Sequence, residues 1–101
     1  MQKLKSDENF IFSLLDDFDP IAIFALNKLI ERFSDDDAMY GTEKAPLIEA
    51  IYIRRYNDRA IWKLAIEFNI ADRTLYRYRH QFIKWFHYYY DKHKKQTLSA
   101  A

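Results

Sequence analysis

The chain contains no cysteine, one glycine and two prolines in 101 residues. The first absence excludes a disulfide framework and a thiolate-based zinc site, and it fits a reducing compartment. The shortage of glycine and proline leaves too few turn residues for a compact all-β design, so helices are favoured. No apolar run approaches the roughly eighteen residues that a membrane helix needs, and the opening MQKLKSDENF has no signal-peptide core. The expectation is a soluble, cytoplasmic protein without a membrane span.

What is present is apolar and aromatic. Half the residues (50%) are hydrophobic and 18% are aromatic, enough for one core in a chain too short for two domains of ordinary size. A single all-α domain is expected over 1–90, with a flexible tail over 91–101. The formal net charge of +1 conceals an asymmetry: residues 1–43 hold 4 Lys/Arg against 10 Asp/Glu, and residues 44–101 hold 12 against 5. An acidic helical support therefore precedes a basic part that attracts polyanions, unless the two parts simply attract each other.

Five helices are expected. Phe10, Leu14, Leu15 and Phe18 give the apolar stripe of a first helix over 7–18. Asp19 as N-cap and Pro20 at the first helical position open a second, with Ile23, Leu26, Leu29, Ile30 and Phe33 facing inward. Residues 34–44, SDDDAMYGTEK, read as a loop, because three adjacent aspartates repel one another and Gly41 relaxes the backbone. The aspartates lack the alternating oxygen ligands, central glycine and closing glutamate of a calcium loop, so a solvated or loosely capping acidic loop is expected and no metal. A third helix over 45–56 turns Leu47, Ile48, Ile51 and Tyr52 inward and ends on Arg54 and Arg55. A fourth follows over 59–68, and a long aromatic-rich fifth begins near 72 and frays after Asp91.

Residues 61–82, IWKLAIEFNIADRTLYRYRHQF, carry the strongest functional signal. Ile61, Leu64, Ala65 and Phe68 share one side of the fourth helix; Leu75, Tyr78 and Phe82 share one side of the fifth. Ala65 is small enough for a close crossing, Asn69 tolerates a left-handed corner, and Ile70 plugs it. The outer face of the fifth helix then carries Asp72, Arg73, Tyr76, Arg77 and His80, with Arg79 at its edge. Arginines in that position can reach guanine in a major groove.

Over about 45–88 the sequence resembles the helix-turn-helix of the fourth region of sigma-70-type factors, and the small phage-associated late-gene and autolysin regulators that share it. The match rests on Ala65, Asn69, Ile70, Arg73, Thr74 and Leu75, preceded by the arginine-containing EAIYIRRY. It departs at Ala71, where that family places a capping serine; Asp72 is placed to cap one residue later. The resemblance implies a sequence-specific transcriptional regulator of double-stranded DNA. Arg73, Thr74 and Arg77 would contact DNA, Tyr76 and His80 would lie beside them, and Arg59 and Lys63 would hold phosphates. RNA polymerase or another transcription protein becomes a candidate partner.

Beyond the motif, Trp85, Phe86, Tyr89 and Tyr90 widen the aromatic surface past what one helix side needs, and we expect them to meet in a homodimer that doubles the DNA site. No catalytic residue, metal ligand set or cofactor is expected. His80, His87 and His93 lack zinc-peptidase spacing, and no glycine-rich phosphate loop or activated nucleophile is recognisable. The competing reading is a non-enzymatic adaptor or inhibitor acting through the acidic half or the aromatic surface.

Overall fold

The computed structural model describes residues 2–100. It is all-α, with five helices: α1 (Gln2–Asp16), α2 (Pro20–Tyr40), α3 (Lys44–Ile48), which runs on into a π-helical turn (Glu49–Ile53), α4 (Asp58–Glu67) and α5 (Asp72–Ala100). The chain divides into two compact units, one made of the described residues up to Leu29 together with those from His80, the other of Ile30–Arg79. Helices α2 and α5 each contribute to both.

In the first unit, Leu4 and Ile11 of α1, Ala22, Ala25, Leu26 and Leu29 of α2, and Phe82, Ile83 and Phe86 of α5 are buried, and Glu8 is enclosed with them. The buried stripe of α1 is thus one position out of phase with the expected one. Phe10 is exposed and lies flat against His87 at 6.0 Å, while Phe18 is 80% exposed. The cause at Phe18 is the end of the helix. The Phe18 amide donates to the Leu15 carbonyl (3.0 Å) and the Asp19 amide to that of Leu14 (3.1 Å), the paired bonds of a left-handed C-terminal cap with Phe18 at φ 55°. Ile23, expected inward on α2, is likewise exposed, and the small Ala22 and Ala25 take the close-packed positions.

Asp19 caps α2 as expected: Oδ1 accepts from the amides of Ile21 (2.9 Å) and Ala22 (3.3 Å). Its Oδ2 accepts from the hydroxyl of Tyr90, 3.0 Å away and 71 positions along the chain. Phe24 stacks on His93 at 3.8 Å, and α5 continues as helix through 91–100.

In the second unit, the acidic stretch expected as a loop is the last part of α2, which ends at Tyr40. Successive helical residues point about 100° apart, so the three aspartates diverge, and Asp37 acquires a purpose. Its carboxylate accepts from the Thr42 hydroxyl and from the amides of Lys44 (2.9 Å) and Ala45 (2.8 Å), capping α3 from outside it. Gly41 makes the corner with φ 68°. Lys44 then places its ammonium 5.4 Å from the Phe33 ring and 4.9 Å from that of Tyr78, within cation–π range of both.

Leu47, Ile48, Ile51 and Tyr52 are buried as their spacing predicts, but α3 widens into the π turn and stops short of 56. The Arg54 amide reaches back to Glu49 (2.9 Å) and that of Tyr56 to Ala50 (2.9 Å). Arg55 takes φ 56°, and its Nε donates to the Tyr52 carbonyl at 3.0 Å.

The Tyr90 hydroxyl is held above its ordinary pKa, chiefly by burial and next by its hydrogen bond to Asp19. A raised folded-state value favours the neutral form, so this stabilisation is complete below the unfolded value of about 10 and is lost as pH rises through the folded value. The urea midpoint of the native protein should therefore fall above about pH 10, and Tyr90→Phe should lose less stability over the same interval.

Candidate nucleic-acid interface

The site is built by α4, the corner after it and the first two turns of α5, all within the second unit. Helix α4 begins where Asn57, in an extended conformation, accepts from the Ala60 amide at 2.9 Å through its side chain. Asp58 in the first turn receives Arg79 Nη2 at 3.3 Å. Arg79, expected at the edge of the outer face, is therefore folded back onto the start of α4.

Ile61 and Ala65 are buried, with Leu64 and Phe68 half-buried beside them. The helix ends in the same left-handed cap as α1. The Asn69 amide donates to Ile66 (3.0 Å) and the Ile70 amide to Ala65 (2.8 Å), with Asn69 at φ 57°. The expected left-handed corner thus lies at the expected residue, and half-buried Ile70 follows it.

Helix α5 opens with Ala71 as the residue whose carbonyl accepts the first helical bond, from Leu75 at 2.9 Å. Asp72 is the first helical residue. Its carboxylate does not cap the helix. Oδ1 accepts instead from the indole Nε1 of Trp62, at 2.8 Å. Leu75 is buried and Tyr78 half-buried, which turns Arg73, Tyr76 and Arg77 outward; all three are exposed, and the Arg77 guanidinium lies 5.9 Å from the Tyr78 ring. Thr74 is half-buried. Arg59 and Lys63 are exposed one turn apart on α4. His80 is half-buried and lies in the other unit.

Two exposed apolar residues on α4 escaped the sequence reading. Trp62 is 46% and Ile66 50% exposed, turned away from the buried side of Ile61 and Ala65. The signal was present: once Ile61, Leu64, Ala65 and Phe68 face inward, helical spacing sends 62 and 66 outward together.

The aromatic surface of the first unit is narrower than expected. Phe86 is 0% exposed within its own chain, so it is core and has no surface to offer a second copy. Tyr90 stacks against it at 5.9 Å and is tied to Asp19. Trp85 and Tyr89 stay half-buried beside exposed Tyr88, with ring centroids 5.2 to 6.1 Å apart.

Among the described residues no group of three or more His, Cys, Asp or Glu could hold a metal ion, and no helix is long and apolar enough to cross a membrane. A cleft lined by Pro46, Glu49, Ala50, Arg54, Tyr56 and Leu64 encloses about 150 Å³, below the roughly 300–1,000 Å³ of ordinary small-molecule sites. Comparison with protein-family models, curated proteins and solved structures finds no match to this chain.

Asn69 tests the corner. Asn69→Gly, free of a Cβ at positive φ, should be neutral or stabilise by up to about 1 kcal/mol, and Asn69→Val should destabilise by about 1–2 kcal/mol. Urea titration of the two variants measures both.

Proposed function

We propose that the protein binds double-stranded DNA sequence-specifically as a non-catalytic transcriptional regulator, with the first turns of α5 as its reading element. The observation that carries this reading is the α4–α5 corner. A left-handed Asn69 between a helix packed through Ala65 and a helix packed through Leu75 leaves Arg73, Tyr76 and Arg77 together on an exposed face. Arginine offers a planar fork that matches the two acceptors of guanine, and Arg59 and Lys63 supply positive charge for backbone phosphates. The likeness of the motif to sigma-70 fourth regions adds to the same reading. Thr74 stands behind this face as a secondary contact.

Homodimerisation through Trp85, Tyr88 and Tyr89 is part of the proposal. The three rings form one edge-to-face and tilted cluster at the surface, and tyrosine and tryptophan combine large contact area with polar tips. A single short reading helix covers few base pairs, and a second copy doubles the site.

Selection from a random duplex library tests the reading. The native chain should enrich a defined site, and the Arg73→Ala/Arg77→Ala double variant should not. Affinity should fall steeply with salt, and Lys63→Ala should reduce the salt slope by about one while leaving sequence preference intact. Enrichment of no site by the native chain would remove DNA reading in favour of a protein partner.

The dimer is tested separately by sedimentation. A concentration-dependent monomer–dimer equilibrium that Trp85→Ala shifts towards monomer is expected, together with a palindromic selected site. A native chain that stays monomeric at every concentration overturns it.

A further inference from the structure

A carboxylate at the leading end of a DNA-reading helix is at first sight misplaced, because phosphates repel it. Asp72 is exposed at that end, next to Arg73. It is not left to find its own position: Trp62, ten residues earlier on α4, holds Oδ1 with its indole N–H at 2.8 Å. The donor comes from a large, half-exposed ring that has no second rotatable polar group, so the bond fixes one carboxylate oxygen and directs the other. No helix amide takes that second oxygen among the hydrogen bonds of the described residues.

On the reading proposed above, on which this inference rests, we infer that Asp72 is a specificity-determining residue that accepts from the exocyclic amine of a cytosine, and that Trp62 is its positioning residue. The chemistry is restrictive. Of the four bases, cytosine presents only a donor among its major-groove polar groups, N4–H₂, and a carboxylate accepts from it; guanine presents two acceptors, which an aspartate repels. Arg59 and Lys63 on α4 and Arg73 and Arg77 on α5 are exposed on the same two helices as Trp62 and Asp72, and their positive charge offsets the repulsion between the carboxylate and phosphate. Arg73, its neighbour in the first turn, supplies the donor fork for an adjacent guanine. The selected site therefore contains a cytosine next to, or opposite, the base that Arg73 reads.

The tryptophan bond also makes the variants informative. In Asp72→Asn the amide oxygen can still accept from the indole, and the groove-facing group becomes an NH₂ donor. Preference at that base pair should move from cytosine to a base that presents an acceptor. Trp62→Phe keeps an aromatic side chain but removes the N–H together with the fused five-membered ring that carries it, so the carboxylate is left unfixed.

Library selection with the native chain, Asp72→Asn and Trp62→Phe tests this. The expected result is a cytosine preference of about tenfold or more in the native site. Asp72→Asn should reverse it, and Trp62→Phe should weaken it at that base pair alone, with the salt slope unchanged. A selected site whose preferences neither variant alters would overturn the inference while leaving DNA reading intact. A uniform loss of affinity for all sequences in Trp62→Phe would reduce Trp62 to a packing residue and overturn its positioning role. No enrichment by the native chain would remove the DNA reading itself and this inference with it.

Discussion

The chain must turn its corners almost without glycine. A left-handed backbone costs a residue bearing a Cβ about 1–2 kcal/mol, yet Phe18, Arg55 and Asn69 all adopt it, and Gly41 takes only one of the four such positions. Each costly corner is held by bonds that leave the backbone little alternative. Phe18 and Asn69 sit in paired amide-to-carbonyl caps, and Arg55 ties its own side chain to the Tyr52 carbonyl. Helix directions follow from these corners, and so does the outward face of α5. The polar side chains Asp19, Asp37 and Asn57 then close the helix starts, so scarcity of turn residues is met by capping rather than by flexibility.

Much of this was legible in the sequence where cause and effect are close together. Asp19 before Pro20, and Asn69 between two apolar stripes, are local signals, and both positions behave as their chemistry dictates. The buried faces of α3 and α4 followed from spacing for the same reason. The errors share a different cause: the deciding partner is distant or invisible to periodicity. Asp37 belongs to a helix because its acceptors are satisfied by Thr42, Lys44 and Ala45 beyond the corner. Phe10 and Phe18 looked like core because aromatic residues at helical spacing usually are, but the small Ala22 and Ala25 and the residues Leu4 and Ile11 carry the packing instead. The π turn has no pattern that separates it from an α-helix.

The candidate site was legible as a set of residues and not as a set of relationships. Arg73, Tyr76, Arg77, Arg59 and Lys63 are exposed as spacing predicts. That Arg79 turns back to Asp58, and that Trp62 holds Asp72, depends on how α4 and α5 meet. Phe86 shows the converse case: aromatic excess along one helix suggested a surface, but the ring is fully buried, as Leu29 and Phe82 of the same unit are.

The charge asymmetry of the sequence also changes meaning on folding. The acidic and basic stretches do not become separate bodies, because α2 brings acidic residues into the unit that contains α4 and the start of α5. Residues 30–79 hold nine Lys/Arg and nine Asp/Glu. A unit with no net charge has little long-range pull on a polyanion, so under the proposed DNA reading attraction would arise at short range, from which acids are engaged and which bases are not. Asp37 is engaged by two amides and a hydroxyl, Asp58 by Arg79, and Asp72 by Trp62. The outward-facing bases Arg59, Lys63, Arg73 and Arg77 lie on the two helices that flank the corner. Affinity built this way depends on the local geometry of α4 and α5 more than on overall charge, which is the condition under which a single fixed carboxylate such as Asp72 can discriminate between bases without preventing approach.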